Sequence, residues 1–305
     1  MAEEFDVLII GSGAAGFGAG MYAGIYKLKA MIFGKDFGLT ALASWVEDYP
    51  GIDRIEGLKL VQVMRAQMDK FGIPVQNSIV EKVSKKNGKF EVQTDDGKKY
   101  LGKYVILATG ETHKSLGIPL EEKFNGKGVS YCATCDAVFF KNKIVGIVGG
   151  GDAAAQAALI LAEHASKVFV FVRKEKMRAQ PWMVEKVEAH PKVEVLYNTE
   201  AKELKGEKVL QKVVVEQKGK RKELELQGLF VMVGVQPQFE LAKQLGVELD
   251  ELCFVKVSQK QETNVENVFA IGDLTSTHRG FKQIVVACAE GAIAARQIFE
   301  RLKLR

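Results

Sequence analysis

Short apolar runs closed by glycine or a polar residue recur along this chain, and their spacing separates strands from helices. Residues 5–10 are almost wholly apolar with little alternation, the pattern of a strand buried on both faces, and a glycine turn then opens a helix of small residues running toward Tyr26. Residues 29–33 read as the next strand, completing a first strand–helix–strand unit. Asn87-Gly88 and Asp96-Gly97 are hairpin signals that predict an antiparallel insert over 80–104, after which residues 105–110 return to a buried strand. The plan then repeats, with a strand over 143–148, an Ala-rich helix to about residue 165 and a strand over 168–172. A second hairpin-like region over 209–216 and 223–229 precedes a buried strand over 230–233 that ends at Gly234. Beyond residue 240 the pattern changes to an apolar run within 265–273 and a long C-terminal helix from about Gln283.

This alternation predicts an α/β fold of two Rossmann-like nucleotide-binding domains, each of three layers with a β-meander insert, the second inserted into the first. The first domain is expected over residues 1–114 and 242–305 and the second over 115–241, with linkers near 111–117 and 237–243. A length of 305 residues agrees with two domains, and 47% hydrophobic residues supply both cores. The formal charge of +5 comes from scattered lysines; the short clusters at 82–89 and 218–222 are interrupted by Gly and Asn and read as solvated loop charge. No continuous basic stripe for nucleic acid is legible. The apolar runs stop long before the roughly 18 residues of a membrane span, and the start, with Glu3, Glu4 and Asp6, is not that of a signal peptide. A cytoplasmic protein is expected.

Two glycine-rich turns, Gly11-Ser12-Gly13-Ala14-Ala15-Gly16 and Gly149-Gly150-Gly151-Asp152-Ala153-Ala154, each follow a buried strand and open a helix. Glycines there let the backbone approach a pyrophosphate, and the helix start offers it free N–H groups. An acid for the ribose hydroxyls is expected about 20 residues after such a turn. After the first turn that place is Gly34, with Asp36 the only nearby carboxylate; after the second it reads Arg173-Lys174-Glu175-Lys176-Met177-Arg178. Cations at this place suit the 2′-phosphate of NADPH better than the bare ribose of NADH, the plain alternative being an exposed charged turn.

Between the turns lies Cys132-Ala133-Thr134-Cys135-Asp136. Thiol–disulfide exchange needs a thiolate and a neighbouring sulfur, and Asp136 offers a carboxyl to carry the proton. The competing readings are a zinc half-site and two structural thiols. The first lacks two further ligands, because Cys253 and Cys288 stand apart and the four histidines are dispersed. No metal is expected, Cys253 and Cys288 read as packing residues, and Trp45 and Trp182 read as core or interface anchors. Flavin on the first turn, nicotinamide on the second and a disulfide between them make a flavoprotein disulfide reductase.

Over essentially its whole length the chain resembles the low-molecular-weight thioredoxin reductases. The resemblance is carried by both turns, Val46-Glu47-Asp48-Tyr49-Pro50-Gly51, Ala108-Thr109-Gly110, Tyr131 with the Cys132–Asp136 segment, Gly234 with Pro237, and Gly272-Asp273 followed by Lys282-Gln283. It implies FAD on the first domain, NADPH and the dithiol on the second, a homodimer, and a thioredoxin-like acceptor. It further implies that Cys135 faces the flavin, that Cys132 attacks the acceptor and that Asp136 donates the proton. FAD contacts are implied for Gly11, Ser12, Gly13, Ala14, Ala15, Gly16, Gly38, Leu39, Asp48, Ala108, Thr109, Gly110, Gly272, Asp273, Lys282, Gln283 and Ile284. NADP contacts are implied for Gly149, Gly151, Asp152, Ala153, Ala154, Arg173, Lys174, Arg178 and Gly234. Because nicotinamide and dithiol both need the flavin, the family rotates the inserted domain on its linkers.

The chain departs from the family in four places. Val172-Arg173-Lys174 replaces His-Arg-Arg, Phe37-Gly38-Leu39 replaces Gly-Gly-Gln, Asp48 replaces Asn, and Gly34 stands where the ribose acid is expected. These leave FAD binding intact and open the donor to NADH, ferredoxin or another reductant, while the intact second turn favours a nicotinamide nucleotide.

Overall fold

Successive residues of the first strand, β1 (Glu3–Ile10), feed two different cores. Val7 and Ile9 join Phe17, Leu60, Met64 and Ile298 on one face, while Leu8 and Ile10 join Phe90, Val92, Leu241 and Val247 on the other. The strand therefore carries apolar residues at consecutive positions and sits at the centre of a sheet covered on both sides. The computed structural model describes residues 3–35, 37–43, 45–278 and 281–304. Two units divide the chain: Met1–Thr112 with Pro237–Arg305, and His113–Gln236.

In the first unit β1 leads into α1 (Ala14–Ile25), β2 (Ala30–Phe33), α2 (Gly57–Lys70) and β3 (Val75–Gln76). Then come β4 (Val80–Lys86), β5 (Lys89–Thr94), β6 (Lys99–Leu107) and the short β7 (Glu111–His113). The strands β3, β2, β1 and β6 lie side by side in parallel. The β4–β5 turn is Asn87-Gly88 with φ of 50° and 77°, the left-handed pair that matches the twist of a two-residue hairpin. The sequence pattern separates a meander over 80–104 from a later strand, whereas the structure makes 99–107 one strand with two jobs. Its first half pairs antiparallel with β5 and its second half parallel with the strand that returns near residue 268. The burial pattern changes at the same point, from alternation to continuous burial over Tyr104, Val105, Ile106 and Leu107.

The second unit begins with α3 (Glu121–Phe124), β8 (Val129–Ser130) and α4 (Ala133–Asp136). It continues with β9 (Ile144–Val148), α5 (Asp152–His164), β10 (Lys167–Val172), α6 (Pro181–Ala189) and β11 (Val193–Tyr197), and with the later β15 (Gly228–Val231) the strands form a parallel sheet in the order β11-β10-β9-β15-β8. The strands β12 (Thr199–Lys205), β13 (Lys212–Gln217) and β14 (Lys220–Glu225) form a separate antiparallel sheet before β15. Val145, Ile147, Val168 and Val170 pack on Ala154, Ala158 and Leu161 of α5, and Phe171, Leu229 and Val231 pack on Leu204, Val213, Val215 and Leu224 of the meander. The hairpin expected over 209–229 is shifted: its turn is Lys218-Gly219, with φ of 48° and 77°, and β12 is an additional strand. Lysine gives no turn signal, so the polar tip hides the register.

The strand β16 (Val235–Pro237) brings the chain back and pairs with β7. The first unit is completed by α7 (Glu240–Gln244), β17 (Val268–Ala270) against β6, and α8 (Ile284–Lys303). The helix α1 is buried almost all round because eight of its twelve residues are Ala or Gly, and it packs along α8 at backbone distance. A Cβ on Gly291 would lie 2.5 Å from the Ala19 nitrogen and 2.6 Å from the Ala15 carbonyl oxygen. Among the described residues no helix is long and apolar enough to cross a membrane.

Gly291→Ala tests this packing. Ala gains about 1 kcal/mol of helix propensity, but forcing a methyl into filled space costs about 1–3 kcal/mol. The expected outcome is a lower urea midpoint with an unchanged denaturant slope.

Candidate functional site: two nucleotide cradles and a dithiol

In the first unit the turn after β1 is closed by contacts that exclude a side chain. Gly11 has φ of 125°, and a Cβ there would lie 2.1 Å from the Ala108 carbonyl oxygen; one on Gly16 would lie 1.9 Å from that of Gly11. Gly13 is open instead, its nearest neighbour to a Cβ being the Phe37 carbonyl oxygen at 4.0 Å. Gly13 caps α1 without a side-chain hydrogen bond, so the first-turn N–H groups face this open side. The geometry fits a pyrophosphate lying on Gly13 and the start of α1. Gly34 cannot carry the ribose acid, because a Cβ there would lie 2.1 Å from the Ser12 Oγ. Asp36 lies outside the described residues.

The other first-unit positions gather around this turn. Ala108 N–H donates to the Ile10 carbonyl at 2.8 Å, Thr109 Oγ1 donates to the Gln238 carbonyl at 2.7 Å, and Gly110 accepts from Gln238 N–H at 2.9 Å. A Cβ on Gly272 would touch Ala15 Cβ at 2.8 Å, which sets Gly272-Asp273 against the first turn of α1. Gly38 is 3.7 Å from the Gly13 Cα by the same measure, while Leu39 begins a single 3-10 turn. Asp48 is exposed. Gln283 is the N-cap of α8 and Ile284 its first residue.

A cavity at the start of α8 is lined by Gly272, Asp273, Lys282, Gln283, Ala287 and Glu290, among others. Glu290 is only 3% exposed and accepts from Gly272 N–H at 2.6 Å, while His278 Nδ1 lies 2.8 Å from its other oxygen. Burial raises Glu290 above the ordinary carboxylate range, His278 and the Gly272 N–H opposing it. Burial also raises Asp273, against the lowering effect of Lys282. Lys282 pairs with the buried Glu111, and its ammonium lies 3.3 Å from the Asp273 carbonyl oxygen and 4.2 Å from the centre of the Phe254 ring.

The second unit repeats the cradle. A Cβ on Gly149 would lie 2.3 Å from the Met232 carbonyl oxygen, whereas one on Gly151, the N-cap of α5, meets nothing within 4 Å. The Asp152 carboxylate is turned to the Gln180 N–H at 2.8 Å, and Ala153 and Ala154 continue the first turn of α5. Gly234 also faces open space. Arg173, Lys174, Lys176 and Arg178 are exposed, and their side chains make no ion pair among the described residues. The loop folds back on the turn through Arg178 N–H and the Gly150 carbonyl at 2.5 Å.

Cys132 and Cys135 form a disulfide with their Cα atoms 5.4 Å apart. Cys132 is the N-cap of α4, and its Sγ accepts from Cys135 N–H at 3.2 Å. Its own N–H donates to Ser130 Oγ at 3.1 Å. Cys132 and Asp136 are half-buried and Cys135 is exposed. Just upstream, the buried Glu121 accepts from Leu116 N–H at 2.8 Å, Gly117 N–H at 2.9 Å and Tyr131 Oη at 2.7 Å. Burial first, and then Glu121, pushes the Tyr131 phenol far above its ordinary value. The Tyr131 ring stacks on His113, an imidazole that burial holds below its usual range.

Neither tryptophan is a core residue. Trp45 is half exposed under Arg54 and Trp182 half exposed under Lys186. Cys253 and Cys288 are partly buried and unpaired. Among the described residues no group of three or more His, Cys, Asp and Glu side chains is arranged to hold a metal. Glu111, Glu121, His278 and Glu290 did not emerge from the sequence pattern. The available signals were slight: Glu111 is an acid directly after a buried strand, and Glu290 is the lone acid in the first half of an otherwise apolar helix.

Two glycine turns with room for a pyrophosphate, together with a Cys-x-x-Cys disulfide, define a nucleotide-dependent disulfide oxidoreductase. Residues 5–291 match the family model for pyridine nucleotide-disulphide oxidoreductases, whose members use a flavin and a nicotinamide cofactor. The chain is 37% identical over 309 residues to the thioredoxin reductase of Peptoclostridium acidaminophilum, covering 97% of this chain and 96% of that one. The solved thioredoxin reductase of Lactococcus lactis superimposes with a TM-score of 0.84 at 31% identity, over 99% of this chain and all of that one. A ferredoxin-flavin thioredoxin reductase from Clostridium acetobutylicum matches at 32% identity and a TM-score of 0.58, with both chains fully covered. The chain belongs to the thioredoxin reductases.

The raised carboxyls predict a pH signature. At Glu290 the folded protein holds its proton more tightly than the unfolded chain does. Its contribution therefore favours folding at low pH and is lost as pH rises through the ordinary carboxylate range toward the raised value. Urea titrations of the parent and Glu290→Gln are expected to give a stability difference, parent minus variant, that falls as pH rises through and above the ordinary carboxylate range.

Proposed function

We propose that this protein is a cytoplasmic, homodimeric thioredoxin reductase that carries electrons from NADPH through FAD and the Cys132–Cys135 pair to the disulfide of a thioredoxin-like protein. The observation that carries the reading is the sulfur pair at the head of α4, with Cys132 Sγ already accepting a backbone N–H. When bound, NADPH supplies a hydride and FAD relays its two electrons to the disulfide. The chain's residues do the rest. Residues 11–16 and Gly272-Asp273 hold the flavin nucleotide, residues 149–154 hold the pyrophosphate of the donor, and Arg173, Lys174 and Arg178 receive its 2′-phosphate.

Opening the disulfide takes two electrons and two protons and leaves two thiols. The Cys135 N–H and the start of α4 favour the thiolate at Cys132. Cys132 attacks one sulfur of the acceptor disulfide, forming a mixed disulfide and releasing the other acceptor sulfur as a thiolate. Asp136 moves the proton at the Cys pair. Cys135 then attacks Cys132 Sγ, which frees the reduced acceptor and closes the pair. Val138 and Phe139, 57% and 69% exposed on the turn after Asp136, give the acceptor an apolar surface beside the sulfurs.

A second reading keeps the dithiol and replaces the donor by NADH, reduced ferredoxin or another reductant. It is favoured by Val172 in the place of the family's His and by the likeness to a ferredoxin-flavin enzyme. Anaerobic mixing of the FAD-loaded protein with NADPH, NADH and reduced ferredoxin, followed at the flavin absorbance, separates them. The expected result is fastest bleaching by NADPH; equal rates with NADH or bleaching only by ferredoxin overturns the choice of donor.

Two variants sharpen the test. Each charge-assisted contact to a phosphate contributes about 1.5–3 kcal/mol. Arg173→Ala with Lys174→Ala is therefore expected to raise the KM for NADPH at least about tenfold and to leave that for NADH within about twofold. Cys135→Ser is expected to leave flavin bleaching intact and to abolish acceptor reduction; sustained acceptor reduction by this variant removes the dithiol from the mechanism.

A further inference from the structure

The start of α8 carries a cation that is held still and half cancelled. Lys282 has its ammonium fixed on three sides, by the Glu111 carboxylate, the Asp273 carbonyl oxygen and the face of Phe254. Glu111 is buried on the first position of β7, three residues beyond the Ala108 carbonyl that closes the glycine turn. A carboxylate is costly to remove from water, and this one is buried beside Lys282, where solvent screens it little. Its position beside Lys282 therefore has an electrostatic effect on whatever lies at the helix start, whether or not that effect serves stability.

We infer that Glu111 is a positioning residue that fixes Lys282 and offsets its charge, and so holds down the reduction potential of the flavin. The inference rests on the reading that FAD occupies the first cradle, with its ring toward the start of α8. A reduced flavin gains negative charge. The Lys282 ammonium and the free N–H groups of the α8 start stabilise that charge and raise the potential, whereas the Glu111 carboxylate opposes it. With both charges present the cation is localised yet nearly neutralised. Glu111 thus keeps the reduced flavin a strong enough reductant to open the Cys132–Cys135 pair.

The test uses the FAD-loaded protein and its variants, equilibrated anaerobically with a redox dye of known potential at neutral pH. Glu111→Gln keeps the shape and removes the charge. It is expected to shift the oxidised-to-reduced flavin equilibrium toward the reduced form by about tenfold, which is about 30 mV for a two-electron couple. Glu111→Asp is expected to restore most of the parent value. Lys282→Met, which removes the cation and keeps the carboxylate, is expected to shift the equilibrium the other way. The double variant Glu111→Gln/Lys282→Met, with neither charge, is expected to return to within about threefold of the parent.

An unchanged or more negative potential in Glu111→Gln overturns the inference. Should that variant lose its flavin, equal potentials for Lys282→Met and the double variant overturn it instead. A parent protein that retains no FAD defeats the underlying reading of the cradle, an outcome seen before any variant is made.

Discussion

A Cβ on Gly16 would lie 1.9 Å from the Gly11 carbonyl oxygen, and one on Gly11 would lie 2.1 Å from that of Ala108, so three backbones touch where β1, β6 and α1 meet. Every other feature of the first cradle depends on this contact. It turns the chain from strand to helix without a bulky residue, and it points the first N–H groups of α1 away from the protein. It also leaves Gly13 as the one glycine of the turn with open space beside it. The same constraint explains the composition of α1. A helix so close to the sheet, and to α8 through Gly291, has room for Ala and Gly at most of its positions.

The two cradles solve the backbone problem alike and differ in charge. In the first, the ribose position after β2 is Gly34, packed against Ser12 Oγ with no space for an acid. In the second, the corresponding loop bears Arg173, Lys174, Lys176 and Arg178, all exposed and unpaired within the described residues. Some cations elsewhere on the surface find carboxylates, as Lys103 finds Asp6 and Lys99 finds Glu91. An anion brought by a ligand would satisfy the four on this loop at little cost in desolvation.

Much of this was legible in the residues because it is local. The glycine turns, the buried strands and the Cys-x-x-Cys pair each depend on a few neighbouring positions, and Asn87-Gly88 names its own turn. The Lys218-Gly219 turn was not legible, because lysine at φ 48° carries no signature and the register is set by Val213 and Val215 packing on Leu204 and Leu224. The double role of β6 was hidden for a similar reason. Only pairing with β17, which is more than 150 residues away, divides that strand in two. The buried acids were least visible, since an isolated Glu in a sequence is most often solvated surface.

Those acids share one physical logic. A buried carboxylate without donors costs several kcal/mol, so each one forces particular groups to converge on it. Glu290 gathers the N–H of Gly272 and the ring of His278, fixing the loop before α8. Glu121 gathers the N–H groups of Leu116 and Gly117 and the phenol of Tyr131, which anchors the segment entering the second unit to the residue next to Cys132. Glu111 gathers Lys282. In all three cases the acid holds a loop or chain end that lacks a ladder of its own, next to a group with a chemical task. An apolar residue in the same place would remove the desolvation cost, but it would leave the loop free to choose among several packings. The sites therefore trade some stability for a single arrangement, a trade that is useful where reacting groups must meet within roughly 3–3.5 Å.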